Sequence, residues 1–551
     1  MTGTADDLSA SRTLWELLDR RAELTPETPA LIQADEPQPG GVRTTGQEGP
    51  QVREPGGTGP ALPDRTVTFG ELRARAERTA AGLYGLGVRP GSRVAWQLPT
   101  RIETVVLSFA LARLGAVQTP LIPSYRDREA GHALRATEAG FFVVPGTWRG
   151  FDHALMAHRL ALTLPAPPLV LTAYDSLPEG DPGDLPPPPA DGTDIRWIYW
   201  TSGTTSAPKG ALHTDRGLIA AGACLAAALR LTPEDVGSMA FPYAHVAGPD
   251  YTVMLLLRGF PALLVEHFAL PGSLGAYRRN GVTVAGGSTA FYSMFLAQQR
   301  RQPGRRIVPT LRLMAGGGAP RPPELHHEVA RELGCPLVHG YGMTEAPMIT
   351  MGDPADTAER LAATEGRPAP GMEVRVTGPD GAPLPPGAEG AIRLRGEAVC
   401  QGYLDPALTA EAFDADGFLI TGDLGRLTAD GHLVITGRAK DVIIRKGENV
   451  SAQEVEQLLR SHPRIEDAAV IGLPDPVRGE RVCAVVQQPP GAQPLTLGDI
   501  ASHLTDAGLS VHKIPEQLEL VGMLPRDKTL RKVLKGELRE RYARPSQPPA
   551  R

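Results

Sequence analysis

The chain has almost no lysine. Of its 56 basic residues only seven are lysine, and none occurs before Lys209. A GC-rich coding bias accounts for arginine as the default. Lysine is then retained where a compact point charge is needed and the wide guanidinium fork does not fit. That marks Lys209, Lys440, Lys446, Lys513, Lys528, Lys532 and Lys535 independently of any motif. Cysteine is scarcer still. Cys224, Cys335, Cys400 and Cys483 stand far apart, with no C-x-x-C and no Cys/His cluster. Neither a zinc site nor a disulfide framework is indicated, and a reducing, cytoplasmic setting fits. A positive surplus is missing too: 62 acidic against 56 basic residues leave a net charge of −6. That argues against a nucleic-acid partner. The N-terminal residues are acidic and lack an apolar core, so no secretory signal is expected. The apolar runs near 105–117, 218–229 and 251–265 are short, or are broken by Arg113 or by Arg258 and Pro261. They read as buried elements, and no membrane span is expected.

At 551 residues the chain is too long for one small core, so two or more domains are expected. Residues 12–32 read as an amphipathic helix and a short strand, and 35–64, rich in Gly, Pro, Gln and Thr, as a flexible insertion. From 66 to 145 helical patterns alternate with short apolar runs, Ser92–Gln97 and Phe141–Pro145 among them. That alternation predicts a largely parallel α/β sheet. A Pro-rich connector spans 176–194. Strand-like runs return from 195 to 340, and after Gly371 the texture becomes short β runs with turn signals at 379–381, 415–417 and 429–431. A smaller α+β unit follows, in which Ser451-x-x-Glu454 heads a helix. The expected domains are a large α/β unit, 1–437, and a small one, 438–551.

Five stretches carry chemistry. Y-W-T-S-G-T-T-S-A-P-K-G, at 199–210, reads as a strand followed by a loop from Thr201 to Gly210, with a helix after Thr214. Its glycines and hydroxyls suit an anion held by backbone N–H and side-chain donors, with Lys209 adding charge. The spacing is not that of a Walker A loop. H-G-Y-G-M-T-E, at 339–345, sets Thr344 and Glu345 at the end of a Gly-rich turn. A single carboxylate beside a phosphate is what Mg2+ uses. T-G-D at 421–423 offers Asp423, read as following a strand, as an acceptor for two sugar hydroxyls. G-R-A-K-D-V-I-I-R-K-G, at 437–447, stands at the expected domain boundary, and P-R-D-K-T-L-R-K-V-L-K fills 525–535.

In this order and spacing the five stretches resemble the acyl- and aryl-CoA synthetases of the adenylate-forming superfamily. The resemblance runs from about residue 12 to 540. It implies a large multi-sheet α/β domain with a mobile small domain, and the substrates ATP, with Mg2+, a carboxylic acid and coenzyme A. The acid is expected to become an acyl-adenylate with release of pyrophosphate, and a thiol then displaces AMP. By position, Thr201, Ser202, Gly203, Thr204, Thr205 and Lys209 would hold the β- and γ-phosphates. Thr344 would touch the α-phosphate, Glu345 would bind Mg2+, and Asp423 with Arg438 would hold the ribose. Gly316, Gly317, Gly318, Ala319, Pro320, His339, Gly340 and Tyr341 would border the adenine and the acyl pocket. Lys440 occupies the family's hinge position, and Lys446-Gly447 would face the site during thioester formation.

The tail departs from the family pattern P-R-x-x-[ST]-G-K: Leu530 replaces the glycine. A straight count lands on Arg531; one inserted residue brings Lys532 to the place of the lysine that bridges carboxylate and α-phosphate. We favour Lys532, and two outcomes stay open, a displaced working lysine or weakened adenylation. For the acyl pocket the resemblance points to His245, Gly286 and Gly342. The run 241–248 holds no aspartate, and an ammonium buried without a counter-ion is costly, which argues against an α-amino acid. An aryl, alicyclic or medium-chain acid is expected. The competing readings are a ligase that loads a carrier protein's phosphopantetheine thiol, and a nucleotide-binding relative without catalysis.

Overall fold

The computed structural model describes residues 8–34, 64–201, 208–319, 321–445, 448–475, 479–507, 509, 511–527 and 532–543. The expected insertion at 35–64 therefore lies outside the described residues but for Asp64, as do Ser202, Gly203, Thr204, Thr205, Pro320, Lys446 and Gly447.

Two α/β sheets build the large unit. One runs, in spatial order, Lys209–Thr214, Ile195–Thr201, Val117–Pro120, Arg93–Trp96, Phe141–Val144 and Leu169–Thr172. Its strands are parallel except for the Ile195–Thr201/Lys209–Thr214 pair. The other has a parallel centre of Leu337–Met343, Leu313–Gly317, Val284–Gly287, Gly237–Met239, Ala262–Leu264 and Pro29–Gln33. Antiparallel strands close its two edges. The helix Ile102–Leu114 is buried along all 13 residues. Apolar on every side, it can only sit inside the core, and it packs on strands of both sheets. In open parallel sheets the strand C-termini are where ligands are held, and Gly317, Met343 and Thr201 all stand at such ends.

Three local expectations change. The helix after Thr214 stands as expected, but Thr201, Lys209 and Gly210, expected in the loop, lie in strands. Lys209–Thr214 returns as a second strand, with Lys209 opposite Thr201, and Thr214 then caps the helix Asp215–Ala228. Where a Gly-rich turn was expected before Thr344, the strand Leu337–Met343 runs through the glycines, and Thr344-Glu345 form the tight turn into Ala346–Met351. Asp423 lies inside the strand Leu419–Leu427, not after it. The Pro-rich connector is pressed onto the helix Phe69–Gly85: a Cβ at Gly82 would lie 2.5 Å from the Pro178 carbonyl carbon.

An antiparallel sheet of Met372–Thr377, Gly390–Gly396, Leu419–Leu427 and Leu433–Arg438 forms the β-rich region after Gly371. Arg438 closes it. After the turn Ala439–Asp441, Val442–Arg445 enters a different sheet, with Glu448–Ser451, Gly479–Gln487, Asp467–Asp475 and Gln517–Val521. This small unit has its own core around Val455, Leu459, Val470 and Val486. Ser451 caps its first helix by accepting the Glu454 N–H, while the Glu454 carboxylate turns instead to Lys513, 2.7 Å away.

Candidate active site

The phosphate side is built on the Ile195–Thr201/Lys209–Thr214 hairpin. Strand alternation sets Lys209, Ala211 and His213 on one face. Against this strand lies the extended segment 400–404: Gln401 donates to Leu212 O, Leu212 to Gly402 O, and Leu404 to Gly210 O. The segment ties the hairpin to the Thr344-Glu345 turn. Cys400 N–H donates to Glu345 O at 2.7 Å, and the Tyr403 hydroxyl donates to Glu345 Oε1 at 2.6 Å. His213 Nε2 lies 2.8 Å from Thr344 O. Burial lowers the His213 pKa to about 4, so at neutral pH it is an uncharged donor through Nε2–H. Lys209 Nζ stands 5.3 Å from the centre of the Tyr403 ring.

The sugar side comes from the antiparallel sheet. Asp423 is 3% exposed, and its carboxylate receives the Tyr341 hydroxyl and, at 2.8 Å, Arg438 Nε. Burial, then the Asp423 charge, holds the Tyr341 phenol well above its ordinary pKa, so it stays a donor. Gly316 and Gly317 end the strand Leu313–Gly317, and Gly318 and Ala319 follow. His339 Nε2 meets the Ala319 carbonyl at 3.1 Å. Burial, then Arg321, depresses His339 to about 3, so it too is neutral. The glycines here serve close strand approach. A Cβ at Gly286 would lie 1.6 Å from Ala315 O, at Gly316 1.9 Å from Gly287 O, at Gly340 2.4 Å from Met351 Sδ, and at Gly342 2.2 Å from Pro347 O.

From the small unit, Lys532 reaches this place. It closes the strand pairing of Pro525–Asp527 with Lys532–Leu534: Asp527 N–H donates to Lys532 O, Leu534 N–H to Pro525 O, and Lys532 N–H to Asp527 Oδ2. The residue is exposed, yet burial, then Arg438, lowers the pKa of its ammonium against the pull of Asp527, Asp423 and Glu345. His245 is depressed to about 4 by burial and then by the charge of Lys532. Its Nδ1 accepts the Ala247 N–H at 3.3 Å, which leaves Nε2 as the donor. A cleft lined by Ile122, Tyr125, Tyr199, Trp200, His245 and Thr344 adjoins it. Lys440 sits in the turn Ala439–Asp441 between the two sheets. Lys513 and Lys535 instead bind Glu454 and Glu456, each at 2.7 Å, inside the small unit. Of the scarce lysines whose side chains are described, Lys209 and Lys532 are thus the two outside these internal pairs.

Two participants escaped the sequence reading. Tyr403 and His213 carry no motif of their own, and both act through the turn at 344–345. The available signals were a polar residue on the buried face of the Lys209–Thr214 strand, and an aromatic between Gly402 and a capped helix start at Asp405-Pro406.

For Mg2+ the donor set fits only in part. Glu345 supplies one carboxylate beside the phosphate hairpin, and no group of three or more ligating side chains exists among the described residues. A Mg2+ that keeps its waters and takes phosphate oxygens needs no more than this.

Comparison with known proteins agrees with the geometry. The AMP-binding enzyme family model matches residues 19–404, and the AMP-binding enzyme C-terminal domain matches 454–531. The salicyl-AMP ligase / salicyl-S-ArCP synthetase of Mycobacterium tuberculosis is 34% identical over 83% of this chain and 82% of its own length. The medium-chain fatty-acid–CoA ligase of Escherichia coli is 31% identical over 85% and 86%. The crystal structure of ATP-bound MatB from Rhodopseudomonas palustris superposes with a TM-score of 0.82 at 28% identity, covering 96% of this chain and 98% of that one. The chain is therefore a member of the AMP-binding enzyme family, within the adenylate-forming superfamily that includes acyl- and aryl-CoA ligases.

Proposed function

We propose that this enzyme joins a carboxylic acid to the thiol of coenzyme A through an acyl-adenylate made from ATP. The observation that carries the reading is that Lys532, from the small unit, lies within electrostatic reach of Asp423, Arg438 and Glu345 of the large one. The acid's carboxylate attacks the α-phosphate of ATP, and pyrophosphate leaves. Little covalent work falls to the protein, so its part is positioning and charge stabilisation. Asp423, oriented by Tyr341 and Arg438, accepts the ribose hydroxyls. Thr344 donates to the α-phosphate from a turn fixed by His213. Lys532 lies between attacking carboxylate and α-phosphate, and Lys209 draws charge toward the departing pyrophosphate. Glu345 would hold the Mg2+ that accompanies ATP, which when bound neutralises phosphate charge. The thiol then displaces AMP after the small unit turns about Lys440.

The acid is one with an uncharged remainder, aryl, alicyclic or medium-chain. The stretches Phe241–Gly248 and Gly286–Phe295 hold no Asp, Glu, Lys or Arg, and their one histidine, His245, is neutral. The nearby Asp250 is 3% exposed, and burial raises its pKa and disfavours its charged form, which makes it a poor partner for an α-ammonium. Relatives acting on salicylate and on medium-chain fatty acids support the same class.

The test is pyrophosphate release with a panel of carboxylates, with and without coenzyme A. Acid-dependent release with an acyl-CoA product is expected. Release without that product would move the acceptor to a carrier protein's phosphopantetheine, the role named for the salicyl relative. ATP binding without release for any acid would overturn the reading.

A further inference from the structure

We propose that Tyr403 is a positioning residue that joins the two charged ends of the phosphate site, setting Glu345 through its hydroxyl and Lys209 through its ring. The inference rests on the ATP-dependent reading above and concerns a residue that no motif marks.

Tyr403 is 7% exposed, and its hydroxyl donates to Glu345 Oε1 at 2.6 Å. Burial, then the Glu345 charge, lifts the phenol's pKa, which keeps it protonated and donating. Residues that orient a metal-binding carboxylate from behind govern its affinity nearly as much as the ligand does. The ring lies 5.3 Å from Lys209 Nζ, within the range in which an ammonium is attracted to an aromatic face. One side chain thus restrains the acid that serves the metal and the base that serves the leaving phosphates.

The local chain is shaped to hold this side chain still. Gly402 has φ +120°, and a Cβ there would lie 2.6 Å from Thr409 Cγ2. Thr409 Oγ1 accepts the Tyr403 N–H at 2.8 Å. Asp405 and Pro406 start the helix Pro406–Ala412 that carries Thr409. On its other side the segment pairs with the Lys209–Thr214 strand, where Ala211 bridges to Tyr403. Tyr403 is therefore fixed from both flanks before any ligand arrives, which is what preorganisation requires.

Calorimetric ATP binding at stepped Mg2+ concentrations tests this on the full chain, with Tyr403→Phe, Tyr403→Leu, Lys209→Ala and the double variant Tyr403→Leu/Lys209→Ala. Wild-type protein that binds no ATP at any Mg2+ concentration would defeat the functional reading itself. Given wild-type binding, Tyr403→Phe, which keeps the ring, is expected to need about 10- to 100-fold more Mg2+ for half-maximal enhancement. Its Mg2+-free ATP affinity should stay within twofold of wild type. Tyr403→Leu should also lose about 3- to 30-fold in Mg2+-free affinity, and Lys209→Ala should add less to it than to wild type. Tyr403→Phe with wild-type Mg2+ dependence, or Lys209→Ala and Tyr403→Leu losses that simply multiply, would overturn the proposal. Thermal melts of each variant separate these effects from unfolding.

Discussion

Asp423 and Arg438 are direct cross-strand partners, and Arg438 Nε sits 2.8 Å from Asp423 Oδ1. Asp423 is thus held by the last residue before the turn that leads into the small unit. The ion pair stands beside the change of sheet, and Lys532 of the small unit feels both charges.

Replacing Asp423 with Ala should weaken ATP binding about 10- to 100-fold, the range for hydrogen bonds to a charged group. Tyr341→Phe, which removes one donor to that carboxylate, should cost less, about threefold to tenfold. Calorimetry with ATP alone checks both. Equal losses would mean that Tyr341 contacts the nucleotide itself.

His213→Ala leaves the Thr344 carbonyl without its donor in a buried place. A loss of about 1–3 kcal/mol in stability is expected, with kcat falling more than the KM for ATP changes. His213→Gln, which can still donate, should restore part of both. The pH dependence has a definite sign. The folded pKa values of His213 and His245, about 4, lie below the ordinary 6.5. Their contribution to stability is present above pH 6.5 and is lost as pH falls toward 4. Urea titrations between pH 7 and 4 should show a shallower decline in His213→Gln.

Glu365 behaves oppositely. Burial raises its carboxyl to about 7, against the pull of Arg321. The preference of the fold for the protonated acid is complete below about pH 4.5 and is lost as pH rises through 7. Glu365→Gln, an isostere of the neutral acid, should leave stability near wild type at pH 5 and raise it by about 1 kcal/mol or more at pH 8. Melting curves at the two pH values decide, and equal shifts at both would contradict the assignment.

Much of this was legible in the chain. The alternation of strands and helices, the β-rich region after Gly371 and the separate small unit all follow from periodicity and turn residues. Scarcity marked all seven lysines alike, and Lys513 and Lys535 serve internal ion pairs, so it could not by itself separate Lys209 and Lys532 from the rest. What periodicity could not show was pairing across distance. The strand Lys209–Thr214 looks like loop because its pattern opens on Lys-Gly, and only the partner at 195–201 makes it a strand. Glycines 286, 316, 340 and 342 were expected to border the ligands, and a Cβ at any of them would meet a neighbouring atom at 1.6 to 2.4 Å, so packing alone already requires them. Tyr403 gains meaning only when residue 345 is brought beside it.

Lys532 must be charged to serve the adenylation step, and its pKa is lowered. A lysine is charged below its pKa, so the rate of pyrophosphate exchange should fall with rising pH earlier than for an ordinary lysine. Lys532→Arg should flatten that limb while lowering the rate, because the fork stays charged but fits poorly.

The central claim is that Lys532 serves bond formation to the α-phosphate and not thioester formation. The direct measurement compares two half-reactions of Lys532→Ala: labelled pyrophosphate exchange with acid and ATP, and thioester formation from a supplied acyl-adenylate. The account predicts exchange reduced at least about 100-fold, the scale of removing a charged stabiliser from a preorganised site, with thioester formation within a few fold of wild type. Normal exchange in Lys532→Ala, together with its loss in Lys528→Ala or Arg531→Ala, would contradict it.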